Sequence, residues 1–319
     1  MKLRKAAFKD WEILLDWRND PLTRKNSFSQ EIIDENSHKN WFRQILSSSK
    51  SIIYILENKY AEPVGNIRAD KIKKNTYVLS WSVSPLHRKK GYGNLMLNLY
   101  LKNRYGTFIA KIKPQNVASI RMVQKNYFKK ISKNTYTKKS LKILYLGPKN
   151  NRVYNFISDH HPCTDSTEKK IHSSFIKEYD WVISYGYRHI LKKEHIQSSN
   201  NPIINLHISY LPWNRGADPN YWSWVENTPK GVTIHAIDEG IDTGDIFIQK
   251  EIIFHGDETL SSSYNKLKNE IEDLFINNFE NIIEGRILPQ KQQKGGSLHY
   301  MKDFPGERSW DLKVKNIIK

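Results

Sequence analysis

The spacing of apolar residues over the first 130 positions predicts a mixture of helices and strands. Apolar side chains recur at helical intervals in four segments, which predicts helices over 11–17, 41–46, 91–100 and 116–125. Runs rich in Ile, Val, Tyr and Trp predict strands over 51–56, 64–68, 77–83 and 108–112. Polar turn sequences separate these runs. The first part of the chain is therefore expected to be an α/β domain.

The pattern starts afresh after a polar stretch at 130–140, where an apolar strand runs into Gly147 and Pro148. Continuous short apolar runs of this kind are typical of buried parallel strands. Strands are predicted here over 141–146, 181–184 and 203–206, and helices over 171–179, 190–196 and 260–283. We therefore expect two domains, residues 1–138 and residues 139–319, both of α/β class.

Composition agrees with two globular domains. A chain of 319 residues can bury two separate cores, and 38% hydrophobic with 26% charged residues is typical of globular proteins. The single cysteine, Cys163, excludes an intramolecular disulfide and a cysteine-based zinc cluster. No apolar run approaches the roughly 18 to 20 residues of a membrane helix, and the first residues lack a signal-peptide core. We predict a cytoplasmic protein without membrane association or a metal site.

Charge points to anionic ligands. Fifty-one Lys and Arg against thirty-three Asp and Glu give a net charge of +18, which attracts polyanions over long distances. The lysines are scattered in pairs and form no sustained basic tract. Coenzyme A, nucleotide sugars and folates are therefore favoured as partners over nucleic acid, although a solvated basic surface without any such partner is also compatible with the composition.

The strongest chemical pattern lies around residues 205–245. Asn205 and His207 are two residues apart near a strand end, so their side chains are expected to point into one cleft. Acyl transfer to an amine needs a proton shuttle that works near neutral pH, a donor for the oxyanion and an orienting carboxylate. His207, Asn205 and Asp242 can supply these three functions. Each residue alone would be an ordinary core, surface or capping residue; the combination favours catalysis.

This pattern resembles the folate-dependent formyltransferases, whose signature is Asn-x-His-x-Ser-x-Leu-Pro, a following Arg-Gly and a later Asp-Thr-Gly-Asp loop. The matching positions here are Asn205, His207, Ser209, Leu211, Pro212, Arg215, Gly216, Asp242, Thr243, Gly244 and Asp245. The resemblance implies catalysis by Asn205, His207 and Asp242, with 10-formyltetrahydrofolate as the formyl donor. It also implies a Rossmann-like open sheet with its site at the carboxyl ends of the strands, and a folate-side loop that contains Tyr185, Gly186 and Arg188.

The substrate side of this resemblance favours small formyltransferases that act on nucleotide-linked amino sugars. About 75 residues follow Asp245, and a long predicted helix uses part of them, which argues against the separate tRNA-binding domain of methionyl-tRNA formyltransferases. The residues that we expect to contact a UDP- or dTDP-linked amino sugar are Arg215, Gly216, Trp213, Trp222 and His299. Aromatic residues in this region suit stacking on a sugar or base, and are equally compatible with a role in the core.

The first domain contains a second candidate site. Val83 ends a predicted strand, and a loop with two glycines leads from there into a predicted helix. Glycines allow backbone amides to close around a phosphate, and a helix amino terminus adds partial positive charge. The residues of this segment that we expect to bind a pyrophosphate-containing cofactor are Arg88, Lys89, Lys90, Gly91, Tyr92 and Gly93.

Residues 1–137 resemble the GNAT acetyltransferase superfamily. The similar segments are Trp17-Arg18-Asn19-Asp20-Pro21, Val64-Gly65, the Arg-x-x-Gly-x-Gly loop, and Asn116 and Ser119 ahead of Tyr127-Phe128. This resemblance implies a mixed, mostly antiparallel sheet, with acetyl-CoA bound by the loop from Arg88 to Gly93 and by Val83 and Asn116. The Trp-Arg-Asn segment looks most like acetyltransferases of pseudaminic-acid type, and also like those that act on ribosomal protein termini.

One position departs from that pattern. The tyrosine that often protonates the leaving thiolate falls at Val123, which has no proton to give. Tyr127 or water could replace it, because a thiol with a pKa near about 8.5 leaves easily. An inactive, binding-only domain is the alternative.

We therefore predict a bifunctional acyltransferase of cell-surface glycan biosynthesis, such as pseudaminic-acid or O-antigen sugar pathways. Its second domain would formylate the amine of a nucleotide-linked amino-deoxy sugar, and its first domain would be an acetyl-CoA-dependent N-acetyltransferase. The alternative is formylation of a macromolecular amine, on tRNA or a protein terminus, by a chain whose first domain is a non-catalytic GNAT-like module. The sequence leaves the sugar and the oligomeric state open, a homodimer included.

Overall fold

The computed structural model describes residues 1–306 and 309–317, which fold into two compact units. The amino-terminal unit comprises residues 1–141 and 160–163. The carboxyl-terminal unit comprises residues 142–159 and the described residues from 164 onward. None of the helices formed by the described residues is both long enough and apolar enough to cross a membrane.

A seven-stranded sheet forms the amino-terminal unit. Its strands are β1 Lys2–Lys5, β2 Ser51–Glu57, β3 Pro63–Lys73, β4 Thr76–Val83, β5 Gly106–Lys111, β6 Lys129–Ser132 and β7 Thr135–Ser140, in the order β1-β2-β3-β4-β5-β7-β6. Its helices are α1 Trp11–Asn19, α2 Pro21–Asn26, α3 Glu35–Ser47, α4 Tyr92–Leu101 and α5 Val117–Lys125. All strand pairs are antiparallel except β4 with β5, so the predicted mixed, mostly antiparallel sheet is confirmed.

The parallel pairing of β4 with β5 stops before the end of β4. The pairing of β4 with β5 ends at Leu79 and Ala110, and β4 continues to Val83 beyond the last pair. Leu79 and Ala110 are buried in a core that α4 and α5 cover through Met96, Leu97 and Val123. The last residues of β4 therefore pair with β3 on one side and have no ladder partner in β5 on the other.

The polar stretch at 130–140 forms structure instead of a linker. It builds the hairpin of β6 and β7, in which β7 pairs along its length with β5. Alternate residues of β7, including Tyr136, Lys138 and Ser140, are buried. Strong polarity conceals this alternation in the sequence, and the amino-terminal sheet runs to Ser140, two residues past the predicted domain boundary.

A six-stranded sheet forms the carboxyl-terminal unit. Its strands are β8 Lys142–Leu146, β9 Cys163–Thr167, β10 Trp181–Ser184, β11 Ile204–His207, β13 Gly231–Ala236 and β14 Ile246–Glu251, in the order β14-β13-β11-β10-β8-β9. A separate two-stranded sheet joins β12 Arg215–Gly216 to β15 Leu298–His299. β8, β10 and β11 run parallel, as their continuous apolar sequences predict, and β13 and β14 are antiparallel.

The helices of this unit match the sequence patterns unevenly. They are α6 Arg152–His160, α7 Ser173–Ile176, α8 Lys193–Ser198, α9 Pro219–Val225 and α10 Leu260–Ile283. α10 has the predicted bounds, because Leu267, Ile271, Phe275 and Phe279 repeat at helical spacing and are buried. The helices predicted over 171–179 and 190–196 are shorter in the structure, whereas α6 was not predicted.

Candidate active sites

The end of β11 places two of the predicted site residues on one side of the six-stranded sheet. Asn205 and His207 are separated by one residue in the strand, and both side chains approach Asp242. The Asn205 Nδ2 atom lies 3.4 Å from Asp242 Oδ1, and His207 Nδ1 lies 3.6 Å from Asp242 Oδ2. The structure therefore brings together the three residues that the sequence proposes as catalytic.

Asp242 is held by the loop that precedes β14. Its backbone is left-handed, with φ of 50°, and its Oδ2 accepts a hydrogen bond of 2.9 Å from the Gly216 amide. Gln292 Nε2 donates to the carbonyls of Asp242 and Gly244, both at 2.8 Å. A Cβ on Gly244 would lie 1.9 Å from the Ala236 carbonyl oxygen, so glycine is required where this loop returns to β13.

A second histidine belongs to the cluster. β13 pairs antiparallel with β11, which places His235 opposite Asn205. The His235 Nδ1–H donates to the Ala236 carbonyl at 2.8 Å, so its Nε2 accepts from Asn205 Nδ2 at 3.1 Å. Sequence reasoning did not single out His235 as a site residue, since its position depends on an antiparallel register that its surrounding apolar sequence does not disclose.

Burial and charge act against each other at this cluster. Burial tends to raise the pKa of the Asp242 carboxyl, but His207, His235 and the Gly216 amide outweigh it and hold that pKa far below its usual range. For His207, burial lowers the pKa, His235 acts in the same direction, and Asp242 opposes both. Asp242 is therefore a fixed anion beside an imidazole whose protonation depends on it.

Three further residues, none of them predicted, support His207 from the other side. The His207 Nε2 atom lies 3.3 Å from the carbonyl oxygen of Asn214. The Asn214 side chain is fully buried and donates at 3.0 Å to Glu226 Oε2, which also accepts from Ser297 Oγ at 2.7 Å. Glu226 Oε1 lies 3.0 Å from His299 Nε2, so these contacts connect His207 to β15.

The predicted substrate residues lie in or near the small sheet of β12 and β15. Arg215 and Gly216 form β12, where the Arg215 amide donates to Ser297 at 3.0 Å. The Trp222 ring stacks on His299, with 4.0 Å between centroids and 7° between planes. Trp213 is 37% exposed. A cavity of about 260 Å³ is lined by Ile208, the residue after His207, and by the aromatic residues Tyr221, Tyr264, Phe304 and Trp310.

The predicted folate-side loop follows β10 directly. Ser184, the last residue of β10, pairs with Asn205 of β11, so the loop begins beside the candidate site. Tyr185 is buried, with its hydroxyl 3.2 Å from Glu272 Oε1, and Gly186 is left-handed with φ of 71°. Arg188 is exposed. Backbone of this kind can approach a flat ligand closely.

In the amino-terminal unit, the predicted cofactor loop leads into α4. Lys89 and Gly91 are left-handed, with φ of 63° and 81°, and α4 begins at Tyr92. The first-turn amides of a helix have no intrahelical acceptor, so they are available to an anion. A Cβ on Gly93 would lie 3.1 Å from Met122 Sδ, so a larger residue there requires the Met122 side chain to shift. Lys90 is exposed beside them.

Not all predicted cofactor residues point to a ligand in this structure. Arg88 forms an ion pair with Asp20 and donates to Thr23 Oγ1 at 2.8 Å. The Asn116 side chain accepts from the Ser119 amide at 3.2 Å and caps α5. Val123 is fully buried in the core. The Tyr127 ring packs on His160, with centroids 3.8 Å apart.

Comparisons with known proteins assign a family to each part of the chain. Residues 120–278 match the formyl transferase family model, and residues 1–129 match the GNAT acetyltransferase domain model. The methionyl-tRNA formyltransferase of Thermodesulfovibrio yellowstonii is 34% identical over 161 residues, which cover 47% of this chain and 51% of that protein. The dTDP-4-amino-4,6-dideoxyglucose formyltransferase of Mycobacterium bovis is 29% identical over 140 residues, which cover 44% of this chain and 59% of that protein. The chain thus spans about half the length of these curated relatives.

A solved structure matches more completely. The formyltransferase PseJ from Anoxybacillus kamchatkensis, in complex with UDP-4,6-dideoxy-4-formamido-L-AltNAc and tetrahydrofolate, is 40% identical with a TM-score of 0.52. The match covers 55% of this chain and 97% of that one.

Proposed function

Because this chain belongs to the formyltransferases through its carboxyl-terminal half and carries a GNAT acetyltransferase domain before it, we propose that it is a bifunctional acyltransferase of amino-sugar metabolism. The carboxyl-terminal unit would transfer a formyl group from 10-formyltetrahydrofolate to the amine of a nucleotide-linked amino-deoxy sugar. The amino-terminal unit would transfer an acetyl group from acetyl-CoA to such a sugar. The clustering of Asn205, His207 and Asp242 at the end of β11 carries the first part of this proposal.

The acceptor class is supported from two sides. The 40% identical formyltransferase from Anoxybacillus kamchatkensis was solved with a UDP-linked formamido sugar and tetrahydrofolate, and the match spans 97% of it. The aromatic cavity beside Ile208 and the Trp222–His299 stack offer flat apolar surfaces of the kind that bind sugars and bases. A pseudaminic-acid-like sugar in a cell-surface glycan pathway is the specific acceptor that we propose.

The residues present fit a folate donor and its chemistry. The loop after Ser184 begins beside Asn205, so Tyr185, Gly186 and Arg188 would hold the folate next to the cluster. The donor supplies a formyl carbon that the neutral amine attacks, forming one C–N bond while the bond to the folate nitrogen breaks. Asn205 would donate to the developing oxyanion, and His207 would carry the amine proton to the departing nitrogen. Asp242 orients His207 and stabilises its charged form.

To donate to the oxyanion, the Asn205 amide has to give up one of its present hydrogen bonds. Both of its hydrogens already face acceptors, His235 Nε2 at 3.1 Å and Asp242 Oδ1 at 3.4 Å. The longer of these is a weak hydrogen bond, so an oxyanion can displace it at little cost. His235 would then hold the amide in place during the reaction, which gives this histidine a positioning role.

For the amino-terminal unit, the amides near Gly91 and the start of α4 would hold the pyrophosphate of acetyl-CoA, with the thioester near Val83. Val123 is buried. Val123 has no proton to donate and the Tyr127 ring is packed on His160, so we propose that water protonates the leaving thiolate.

The decisive experiment incubates the full chain with 10-formyltetrahydrofolate and a panel of UDP- and dTDP-linked amino sugars, and follows product mass. We expect one formyl group to be added to a panel member, and His207→Ala to abolish the addition. The exposed histidine variant His255→Ala is the matched control and should retain activity. If no panel member is formylated by a correctly folded chain, the sugar proposal fails and a macromolecular acceptor takes precedence.

A further inference from the structure

Helix α10 buries a carboxylate among apolar side chains. The buried apolar residues of this helix include Leu267, Ile271, Phe275 and Phe279. Glu272, which is 2% exposed, is the one charged side chain among the buried residues of α10. Within the described part of the chain, no basic side chain forms an ion pair with it. Burying a carboxylate is costly unless other contacts replace the lost water, so a specific contact is expected here.

The partner of this carboxylate is Tyr185, the first residue of the predicted folate-side loop. The Tyr185 hydroxyl lies 3.2 Å from Glu272 Oε1, although 87 positions separate the two residues in the sequence. Burial raises the pKa of Tyr185, and the charge of Glu272 and this hydrogen bond raise it further. Tyr185 therefore stays a neutral hydrogen-bond donor to Glu272 at physiological pH.

Two further tyrosines lie near the carboxylate without replacing this contact. Burial raises the pKa of Tyr145 and of Tyr264, and the charge of Glu272 adds to the increase in both. The Tyr145 hydroxyl accepts a hydrogen bond of 2.8 Å from Asn151 Nδ2. Among the described residues, the side chain of Glu272 accepts a hydrogen bond from Tyr185 alone. The buried charge thus serves one residue of the loop.

The backbone of Tyr185 is held from a different direction. Its amide donates to the Leu146 carbonyl of β8 at 2.9 Å. The chain at Gly147 passes so close that a Cβ there would lie 2.0 Å from the Tyr185 carbonyl oxygen. The hydrogen bond to Glu272 adds a contact from a second element, α10. These contacts define the point from which the loop turns at the left-handed Gly186.

We infer that Glu272 is a positioning residue for the formyl donor, which acts through Tyr185 by holding residues 185–188 in the conformation that binds the folate. The inference rests on the proposed formyl transfer and assigns to its donor side a residue outside the sequence motif. The contact holds the loop and leaves His207 untouched. Its loss should therefore weaken donor binding and spare the chemical step.

The test measures binding of 5-formyltetrahydrofolate to the full chain by calorimetry, together with steady-state formylation. Glu272→Leu should raise the Kd of this folate and the KM of the formyl donor about tenfold, the order expected for a hydrogen bond to a charged group, and change kcat by less than about twofold. Glu272→Gln retains an acceptor for Tyr185 and should recover most of the affinity. Glu270→Leu removes another glutamate of α10, which pairs with Lys250, and is the matched control.

Tyr185→Phe separates an effect on the loop from an effect on the fold. It removes the hydroxyl and should weaken folate binding as much as Glu272→Leu does. The double variant should bind no more weakly than either single variant, because both changes remove the same contact. Replacing both polar partners by apolar groups is often nearly neutral for stability, so urea unfolding should find the double variant as stable as wild type. Weak folate binding by such a stable chain is not expected from a merely structural role.

Unchanged folate affinity in Glu272→Leu and Tyr185→Phe would overturn the inference, as would losses that add up in the double variant or equal losses in Glu272→Leu and Glu272→Gln. If Glu272→Leu does not fold, Tyr185→Phe decides, and unchanged affinity in that variant overturns the inference. A wild-type chain that binds no 5-formyltetrahydrofolate would refute the proposed formyl transfer and this inference with it. Folate binding that none of these variants alters would refute the inference alone.

Discussion

His207 lies between two oxygen acceptors, and this position sets its chemistry. Its Nε2 faces the Asn214 carbonyl at 3.3 Å and its Nδ1 faces Asp242 Oδ2 at 3.6 Å. A neutral imidazole has one N–H and can satisfy only one of them, whereas the imidazolium satisfies both. Burial favours the neutral ring and Asp242 favours the charged one. A group balanced in this way can accept and return a proton within one catalytic cycle.

Glu226 is expected to matter for formyl transfer although it does not touch His207. Its carboxylate fixes Asn214, whose carbonyl faces the imidazole, and it also contacts Ser297 and His299. Glu226→Ala should lower kcat about tenfold through misplacement of His207 and leave the KM for the folate nearly unchanged. Glu226→Gln, which can still accept from Asn214, should recover most of the rate. Equal losses in both variants would contradict a positioning role, as would a change in folate KM alone.

His161 should make the amino-terminal unit sensitive to acid. Burial and nearby lysines lower the pKa of His161 to about 3, and its Nδ1 accepts from the Leu141 amide at 3.1 Å. The unfolded chain binds this proton near pH 6.5, so stability is full above that pH and falls as pH decreases toward 3. Between pH 6.5 and pH 3 the loss is at most about 5 kcal/mol, at roughly 1.4 kcal/mol per pH unit.

Urea unfolding of wild type and His161→Asn between pH 7 and pH 4 measures this slope. Asparagine retains an acceptor for Leu141 but does not titrate in this range. The variant should therefore lose less stability than wild type as the pH falls, and identical slopes would remove His161 as the cause.

At the scale of elements, the sequence predicted the helices and strands whose buried apolar residues recur at regular spacing. α10 and the parallel strands β8, β10 and β11 follow from continuous or helically spaced apolar residues. The hairpin of β6 and β7 could not be predicted in this way, because Lys138 and Ser140 occupy buried positions. In the site, Asn205 and His207 follow from strand alternation, whereas His235 and Glu226 depend on a register and a loop path. Those contacts join residues 12, 30 and 71 positions apart, and a single sequence does not report them.

The strap formed by residues 296–299 provides a test at this scale. Gly296 is left-handed with φ of 80°, and a Cβ there would lie 2.0 Å from the Pro212 carbonyl oxygen. Gly295 is also left-handed, with φ of 104°, but a Cβ there meets nothing within 4 Å. Both Gly→Ala variants incur the backbone cost of about 1 to 2 kcal/mol. Only Gly296→Ala should displace Ser297 and reduce formylation strongly, in steady-state assays at a temperature where both variants are folded. Equal activity of the two variants would mean that the strap does not hold the site.

At the scale of the whole molecule, the two units have separate cores and separate candidate sites. The basic excess of the chain suits both proposed donors, since folates and CoA are polyanions. It also suits RNA, and a relative of the carboxyl-terminal unit is a methionyl-tRNA formyltransferase. Net charge by itself does not distinguish a small anion from a large one. The number of phosphates that are contacted does.

Salt dependence therefore separates the two acceptor classes. A protein that contacts 6 to 10 phosphates loses about 10³ to 10⁵ in affinity between 50 and 200 mM salt, because each contact releases counterions. A nucleotide sugar presents one pyrophosphate, so kcat/KM for its formylation should fall less than about tenfold over this range. The measurement compares a UDP-linked amino sugar with methionyl-tRNA at several salt concentrations, with Asp242→Asn as the inactive control. Efficient formylation of the tRNA with a steep salt slope, and none of the sugar, would assign the basic surface to RNA and reject the sugar acceptor.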